Sequence, residues 1–408
     1  MNIAIIDADL VGRKKHRFPN LACMKISAYN KQIGNNVTLV TDYYDLFSEY
    51  IDLPCDDLPN FNYLLFNNDK KNIRYYKEES IIFDKIIISK VFTDTEIPIQ
   101  IQNLSICEYG GTGFFYDKAI PLPNEIEHHM PDYHLYDEWV NIKLNSGGIK
   151  KDFSYYLDHS IGFLTKGCFR QCAFCINKNS KKVEMHSPLN EFVDDSKKYI
   201  CMLDDNFLGY PQWKDLILEL QQTGKRFQFK QGLDERILTD DKCKMLSESK
   251  YYGDYIFAFD NIEDKELIEG KLKMWKEHYN TKAQSTKFYV FCGFDRNDKW
   301  DEDFWKQDII DTFERIKILM RYNCLPYIMR FERYKESPYA GTYINFARWC
   351  NQPSFFKKTS YRKYCEMNQE RTKTIICSAM RYLNKLEEDY PEIAKEYFDM
   401  RFEDVVEY

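Results

Sequence analysis

The sequence predicts an α/β protein in which two parallel-stranded regions are followed by a helical segment. Three observations support this. A strand–helix–strand pattern opens the chain, strands and helices then alternate from residue 155 to residue 329, and the strand signal stops beyond Trp349. Alternation of strands with amphipathic helices is typical of parallel sheets, because the helix is the connection that returns the chain to the same edge.

The N-terminal third begins with an apolar strand at 3–6 that ends in Asp7. Apolar residues at helical spacing follow at 21–33, and Gly34 is a typical helix stop. Further apolar runs predict strands at 37–40, 81–89 and 104–107. We therefore predict a Rossmann-like domain, with its linker, over residues 1–150.

The central region contains six strand–helix units. The predicted strands are 162–164, 200–203, 227–230, 255–259, 288–291 and 326–329, and the helices are 211–222, 239–249, 263–279 and 302–322. Six such units predict a parallel sheet curled into a partial (β/α)6 TIM-type barrel over 151–350. Active groups in α/β barrels lie at the carboxyl ends of strands and in the loops that follow.

The C-terminal segment, 351–408, is basic with interleaved aromatic residues over 357–381 and then acidic. The prediction is a set of helices that packs on the open edge of the barrel. The alternative is a surface that contacts nucleotide phosphate or RNA.

Composition narrows the class of protein. The 408 residues carry a net charge of -7, which argues against a chain that coats nucleic acid but leaves room for a local basic groove. No apolar run approaches the length of a membrane span, and the N-terminus reads as a strand. We expect a cytoplasmic protein with no membrane segment and reduced thiols.

The motif that organises the chain is Cys168-x3-Cys172-x2-Cys175, directly after the first strand of the central region. Three thiolates on one loop suit a 4Fe-4S cluster, because thiolate is the soft ligand that such clusters need, and three ligands leave one iron open. Two alternative kinds of site explain fewer of these cysteines. A zinc site needs a second Cys/His pair, whereas His186 has no partner cysteine nearby, and a redox dithiol leaves Cys168 without a role.

This spacing, with Phe174 just before the last cysteine, resembles the radical S-adenosylmethionine (SAM) enzymes. The resemblance implies that Cys168, Cys172 and Cys175 hold the cluster while the amino and carboxylate groups of SAM chelate the open iron. One electron then cleaves SAM to methionine and a 5′-deoxyadenosyl radical. An enzyme of this kind is oxygen-sensitive and needs a reducing partner such as flavodoxin or ferredoxin.

The same resemblance, together with the position of polar residues at strand ends, predicts further contacts. Asp204 and Asn206 share one face after the second strand and are expected near the SAM amino group. Gln231 and Arg236 follow the third strand and are expected at the ribose or the methionine carboxylate. Phe174 completes the predicted cofactor contacts. Asp260 and Arg330, after the fourth and sixth strands, are the predicted substrate contacts.

The N-terminal third resembles the cobalamin-binding-like domain of several radical SAM branches. The similarity lies in Pro19-Asn20-Leu21-Ala22, a helix ending at Gly34, and the Gly110-Gly111 turn. The D-x-H-x-x-G signature of cobalt ligation is absent, and His16 lacks that context. Either cobalamin binds without a histidine ligand, or the domain binds none and assists substrate binding; we favour the second.

The predicted function is therefore a radical SAM enzyme acting on an unidentified small-molecule, nucleotide or nucleic-acid substrate. Methyl transfer or methylthiolation is an alternative, and methylthiolation requires a second cluster at Cys23, Cys55 and Cys107. A different class of alternative is an iron–sulfur electron carrier or sensor with four protein ligands and no response to SAM.

Overall fold

The computed structural model describes residues 1–54, 63–66, 72–177, 180–280, 285–372 and 375–407. The chain divides into two compact units. Unit 1 comprises Met1–Leu164, Ile176–Asn179 and His186–Cys201, and unit 2 comprises Thr165–Cys175, Ser180–Met185 and Met202–Tyr408. This division differs from the sequence-predicted boundary at residue 150, which stays a prediction.

The strands are, in chain order, β1 (Asn2–Asp7), β2 (Asn36–Leu39), β3 (Tyr50–Pro54), β4 (Tyr63–Phe66), β5 (Asn72–Lys77), β6 (Lys85–Ser89), β7 (Cys107–Gly110), β8 (His159–Gly162), β9 (Thr165–Lys166), β10 (Glu184–Met185), β11 (Tyr199–Met202), β12 (Arg226–Phe229), β13 (Tyr255–Ala258), β14 (Thr286–Cys292) and β15 (Leu325–Arg330). The longer helices are Leu21–Gln32, Asp137–Asn145, Trp213–Gln222, Asp240–Glu248, Lys265–His278, Glu302–Arg321, Ala340–Cys350, Tyr361–Thr372 and Ser378–Asp389. Short helical turns include Ala8–Gly12, Ile99–Gln102, Thr112–Phe115, Asn124–Glu127, Ser154–Leu157, Pro353–Phe356, Pro391–Ile393 and Phe402–Val405.

Unit 1 contains a parallel sheet in the order β2-β1-β6-β7. Alternate residues of β1 point to opposite faces, so Ala4 and Ile6 join one apolar cluster while Ile3 and Ile5 join another. Both faces are covered, as is usual for parallel sheets. A separate antiparallel sheet, in the order β3-β5-β4, was not predicted from the sequence.

Unit 2 contains consecutive parallel strands. β13, β14 and β15 pair in parallel in chain order. The amide of Leu233, just after β12, donates to the Ile256 carbonyl of β13 at 2.8 Å, and the Lys230 amide donates to the Met202 carbonyl at 2.9 Å. The α/β class is thus confirmed. Closure of these strands into a partial barrel stays a prediction.

After the helix Ala340–Cys350, the Asn351 side chain lies against β15. Packing of the segment 351–408 on the open edge of a barrel stays a prediction. The Asn351 side chain accepts a hydrogen bond from the Ile328 amide at 2.7 Å and donates to the Ile328 carbonyl at 3.2 Å. It thereby satisfies the backbone of β15, which would otherwise be an unpaired edge. Among the helices that the structure describes, none is long and apolar enough to cross a membrane.

A candidate iron–sulfur site on the cysteine loop

The cysteine loop begins in a small antiparallel hairpin. β9 pairs with β10 through Thr165 opposite Met185 and Lys166 opposite Glu184. Gly167 follows β9 with φ +95°, and a Cβ at this position would overlap the Lys182 carbonyl oxygen. Only glycine meets both demands, so the turn into the loop depends on this residue.

Two carboxylates after β11 hold the base of the loop. Asp204 Oδ1 accepts hydrogen bonds from the Thr165 amide at 2.6 Å and from the Thr165 hydroxyl at 2.7 Å. Asp205 Oδ2 accepts from the Gly167 amide at 2.8 Å. Asp204 was predicted as a cofactor contact. The structure gives it Thr165 as a partner, and its contact with SAM stays untested.

Hydrogen-bond donors reach the first cysteine. The Asn206 side-chain amide and the Arg170 backbone amide each donate to Cys168 Sγ at 3.4 Å. Asn206 is 2 % exposed, and its Oδ1 has no hydrogen-bond partner within the described residues. A buried acceptor without a donor is costly, so this oxygen is suited to a ligand that brings an N–H group.

The three cysteines lie close enough to influence one another. Each is half-buried and forms no disulfide. Burial raises the pKa of Cys172; the Arg236 guanidinium opposes the rise, and negative charge on Cys168 and Cys175 adds to it. Within the described ranges no three His, Cys, Asp or Glu side chains converge on one point where a single metal ion could bind. Cluster thiolates bind different irons and need not converge, so three such thiols suit the cluster's donor set.

Asp234 connects the loop to the next strand, and the sequence did not single it out. Its carboxylate accepts from Arg170 Nε at 2.6 Å and from Arg236 Nε at 2.9 Å, and the Asn206 amide lies 3.4 Å away. Burial favours the neutral acid, but the hydrogen bonds and charges of Arg170 and Arg236 lower the pKa of Asp234. Arg236 also donates to Asp264 at 3.2 Å. Asp234 and Asp264 thus both engage Arg236, and its contact with the ribose or the methionine carboxylate stays a prediction.

An aromatic cluster covers the end of the loop. The ring centroid of Phe174 lies 4.4 Å from that of Phe291 and 5.7 Å from that of Phe294. Phe331 continues the cluster at 5.0 Å from Phe294. These rings come from the cysteine loop and from the carboxyl ends of β14 and β15, so they exclude water from one side of the loop.

Asp260, the predicted substrate contact after the fourth strand of the central region, is close enough to Cys172 to act on it by charge. Its charge raises the pKa of Cys172, and burial raises its own pKa to about 6. Asp260 Oδ1 accepts from the Phe291 amide at 3.2 Å. Arg315, which the sequence did not single out, donates to the Phe259, Asp260 and Phe291 carbonyls at 3.2, 2.7 and 2.8 Å, and thereby fixes the ends of β13 and β14.

Two further predicted residues keep their roles as predictions. Gln231 is exposed on the loop after β12. Arg330 ends β15 and stacks on Tyr334, with its guanidinium carbon 4.5 Å from the ring centroid. Arg330 is exposed, although by strand alternation it shares its face of β15 with the buried Pro326 and Ile328.

In unit 1, His16 is committed to protein contacts. Its Nδ1 bonds the Tyr156 hydroxyl, its Nε2 lies 3.5 Å from Asp7 Oδ2, and burial lowers its pKa to about 4.

The second cluster that methylthiolation would require finds little support. Cys23 packs with one apolar cluster and Cys107 with the other, on opposite faces of the sheet. Cys55 lies outside the described residues. Because the sheet separates Cys23 from Cys107, these two thiols do not share a site.

Comparisons with known proteins give a resemblance among solved structures. No family model matches the sequence, and no curated protein matches it. Solved structures of OxsB, described as a cobalamin-dependent SAM radical enzyme, align over 100 % of this chain and 58 % of that chain with a TM-score of 0.36. The identity is 13 % for the form with aqua-cobalamin, 12 % with aqua-cobalamin and SAM, and 14 % for the apo form. This chain thus spans 58 % of the OxsB chain, and a TM-score of 0.36 carries no argument about its activity.

Proposed function

We propose that this chain is a radical SAM enzyme whose cluster is held by Cys168, Cys172 and Cys175. The observation that carries the proposal is the donor set itself. Three cysteines that form no disulfide lie on one short loop, and the carboxylates of Asp204 and Asp205 tie that loop to the end of β11. When bound, a reduced cluster with SAM supplies the electron that cleaves SAM to methionine and a 5′-deoxyadenosyl radical.

The residues around the loop have separate tasks in this proposal. The amide of Asn206 donates to Cys168 Sγ, and in this proposal its unpaired oxygen accepts a hydrogen bond from the SAM ammonium group. Hydrogen bonds to cluster sulfurs tune the reduction potential. Asp234 holds Arg170 and Arg236 beside the loop, and the Arg236 guanidinium opposes the rise in the pKa of Cys172. Phe174, Phe291 and Phe294 exclude water from a reactive intermediate.

The proposed enzyme acts on an unidentified substrate by an unidentified reaction subtype. Asp260, beside the cysteines, is the proposed substrate contact, and a flavodoxin or ferredoxin is the proposed electron donor. Separation of Cys23 from Cys107 disfavours methylthiolation. Binding of cobalamin in unit 1 stays an alternative without a histidine ligand, since His16 is already engaged.

Anaerobic reconstitution tests the proposal. The full-length protein, loaded with iron and sulfide and then reduced, should produce 5′-deoxyadenosine from SAM, and SAM should change the EPR spectrum of the reduced cluster. Cys172→Ser should abolish cluster loading. The matched control is Cys377→Ser, because Cys377 is a free cysteine that caps the helix Ser378–Asp389, a position where serine is equally suitable.

The alternative classes give different results. A loaded cluster whose EPR spectrum ignores SAM, with no 5′-deoxyadenosine formed, would contradict the proposal and favour an electron carrier or sensor. Retention of the full iron content in Cys172→Ser would place the cluster elsewhere.

A further inference from the structure

Two arginines that do not belong to the cysteine-loop site line a groove beside the end of β15. Arg330 from β15 and Arg348 from the helix Ala340–Cys350 line a cavity of about 440 Å³, together with Tyr334 and the amide residues Asn351 and Gln352. Tyr334 supports the Arg330 guanidinium from one side. The Gln352 side chain donates to the Arg348 carbonyl at 3.0 Å and fixes that turn of helix.

Both guanidinium groups lack counter-charges. In the part of the chain that the structure describes, neither side chain makes an ion pair or a hydrogen bond, and no acidic residue lines the groove. Neighbouring arginines behave differently: Arg333 pairs with Glu336, and Arg362 pairs with Glu387. In a chain of net charge -7, two unpaired arginines facing one groove are a concentrated positive site.

The chemistry of the groove selects an anion with several oxygens. Guanidinium groups bind phosphate through paired N–H donors, and amide side chains add neutral donors. The volume is within the range of pockets that hold a nucleotide-sized molecule. Arg330 stands at the carboxyl end of β15, and ligands of parallel α/β sheets bind outside the carboxyl ends of the strands.

We propose that Arg330 and Arg348 bind the phosphate group of a phosphorylated small molecule. This inference rests on the proposed function. The molecule is the substrate of that enzyme, and its phosphate end binds in the groove. Phe331, the residue after Arg330, contacts Phe294, which in turn contacts Phe174 of the cysteine loop. Groove and loop are therefore connected through aromatic side chains at the same ends of β14 and β15.

Calorimetry on the full-length protein without its cluster tests the assignment, with inorganic pyrophosphate and AMP as probes and adenosine as the probe without phosphate. Both phosphates should bind. Arg330→Gln and Arg348→Gln should each weaken binding about tenfold or more, since each removes charge-assisted hydrogen bonds. Arg381→Gln is the matched control, because Arg381 is also exposed and free of ion pairs but lies on another helix.

Four outcomes would overturn the proposal. The first is equal binding of pyrophosphate and AMP by the Gln variants and the unaltered chain, and the second is no binding of either phosphate. The third is binding of adenosine as tight as that of AMP. The fourth is a single-stranded oligonucleotide that binds more tightly than AMP and loses as much affinity with Arg371→Gln as with Arg330→Gln, which would define an extended nucleic-acid surface instead. The measurement needs neither cluster nor SAM, so its failure and failure of the cluster proposal are distinguishable.

Discussion

Glu235 is a buried carboxyl group whose ionisation would destabilise the folded chain. It is 1 % exposed, and neither side-chain oxygen has a hydrogen-bond partner among the described residues. Burial raises its pKa well above the ordinary 4.5; the charge of Asp234 raises it further, and Lys271 opposes the rise. The group is therefore neutral in the folded chain at pH values where the unfolded chain has already released the proton.

This difference predicts how stability depends on pH. The contribution of Glu235 is fully present below about 4.5 and is lost as pH rises from there through the folded-state pKa, because only the unfolded chain ionises freely. Glu235→Gln keeps the shape and cannot ionise. Its stability relative to the unaltered chain should therefore increase with pH, by at most about 1.4 kcal/mol per pH unit.

Urea unfolding across the range from about pH 5 to about pH 8 measures the effect. Glu219→Gln, at an exposed position on the helix Trp213–Gln222, is the control and should run parallel to the unaltered chain. Parallel curves for Glu235→Gln as well would show that Glu235 is ionised in the folded state.

Two patterns in the sequence carry chemistry, and contact of their residues with a cluster or with SAM stays a prediction. The cysteine spacing and the alternation of Asp204 with Asn206 both led to residues of the loop and its base. Asp234 and Glu235 were not singled out, because an Asp-Glu-Arg run after a strand is typical of a solvated turn. Their burial comes from residues distant in sequence, which a local pattern does not reveal.

At the scale of elements, the hairpin β9–β10 determines whether the cysteine loop can form. Gly167→Ala should destabilise it, because the new Cβ overlaps the Lys182 carbonyl oxygen and φ is +95°. The expected cost is about 1–3 kcal/mol in unfolding free energy, with loss of most iron after reconstitution. Gly224→Ala is the control. Gly224 also has positive φ, +69°, but nothing lies within 4 Å of its added Cβ.

Iron and sulfide content, measured beside thermal unfolding of the cluster-free protein, separates the two effects. Gly224→Ala should lose some stability and keep its cluster. If Gly167→Ala loads iron as fully as Gly224→Ala, the hairpin does not position the cysteines.

Strands were predicted within a few residues where apolar runs are continuous, as for 255–259 against Tyr255–Ala258. The predicted strand 162–164 lies instead at His159–Gly162, because the apolar run continues past the last strand residue. β9 and β10 were missed since each has two residues, too few for periodicity. The sheet of β3, β4 and β5 was missed because Pro, Asp and Asn interrupt residues 50–77.

At the scale of the whole molecule, the sequence placed a boundary at residue 150 because composition there resembles a linker. Within unit 1, however, Tyr133 depends on later residues. Its hydroxyl donates to the Phe192 carbonyl at 2.6 Å and accepts from the Ile161 amide at 2.8 Å. Phe192 is 1 % exposed, and Lys197 donates to the Tyr156 carbonyl at 3.1 Å. Pairings of this kind join segments far apart in sequence and leave no local signal.

Truncation tests which boundary the folded chain uses. A fragment of residues 1–150 should melt at a lower temperature and less cooperatively than a fragment of residues 1–201, because it leaves the buried Tyr133 hydroxyl without partners at a cost of about 1–3 kcal/mol. Tyr133→Phe in the full chain should lose a similar amount, since it removes the same hydrogen bonds. Equal melting of the two fragments would favour the boundary at 150. A stable Tyr133→Phe protein would show that packing of Phe192, and not the hydroxyl, makes residues 151–201 part of unit 1.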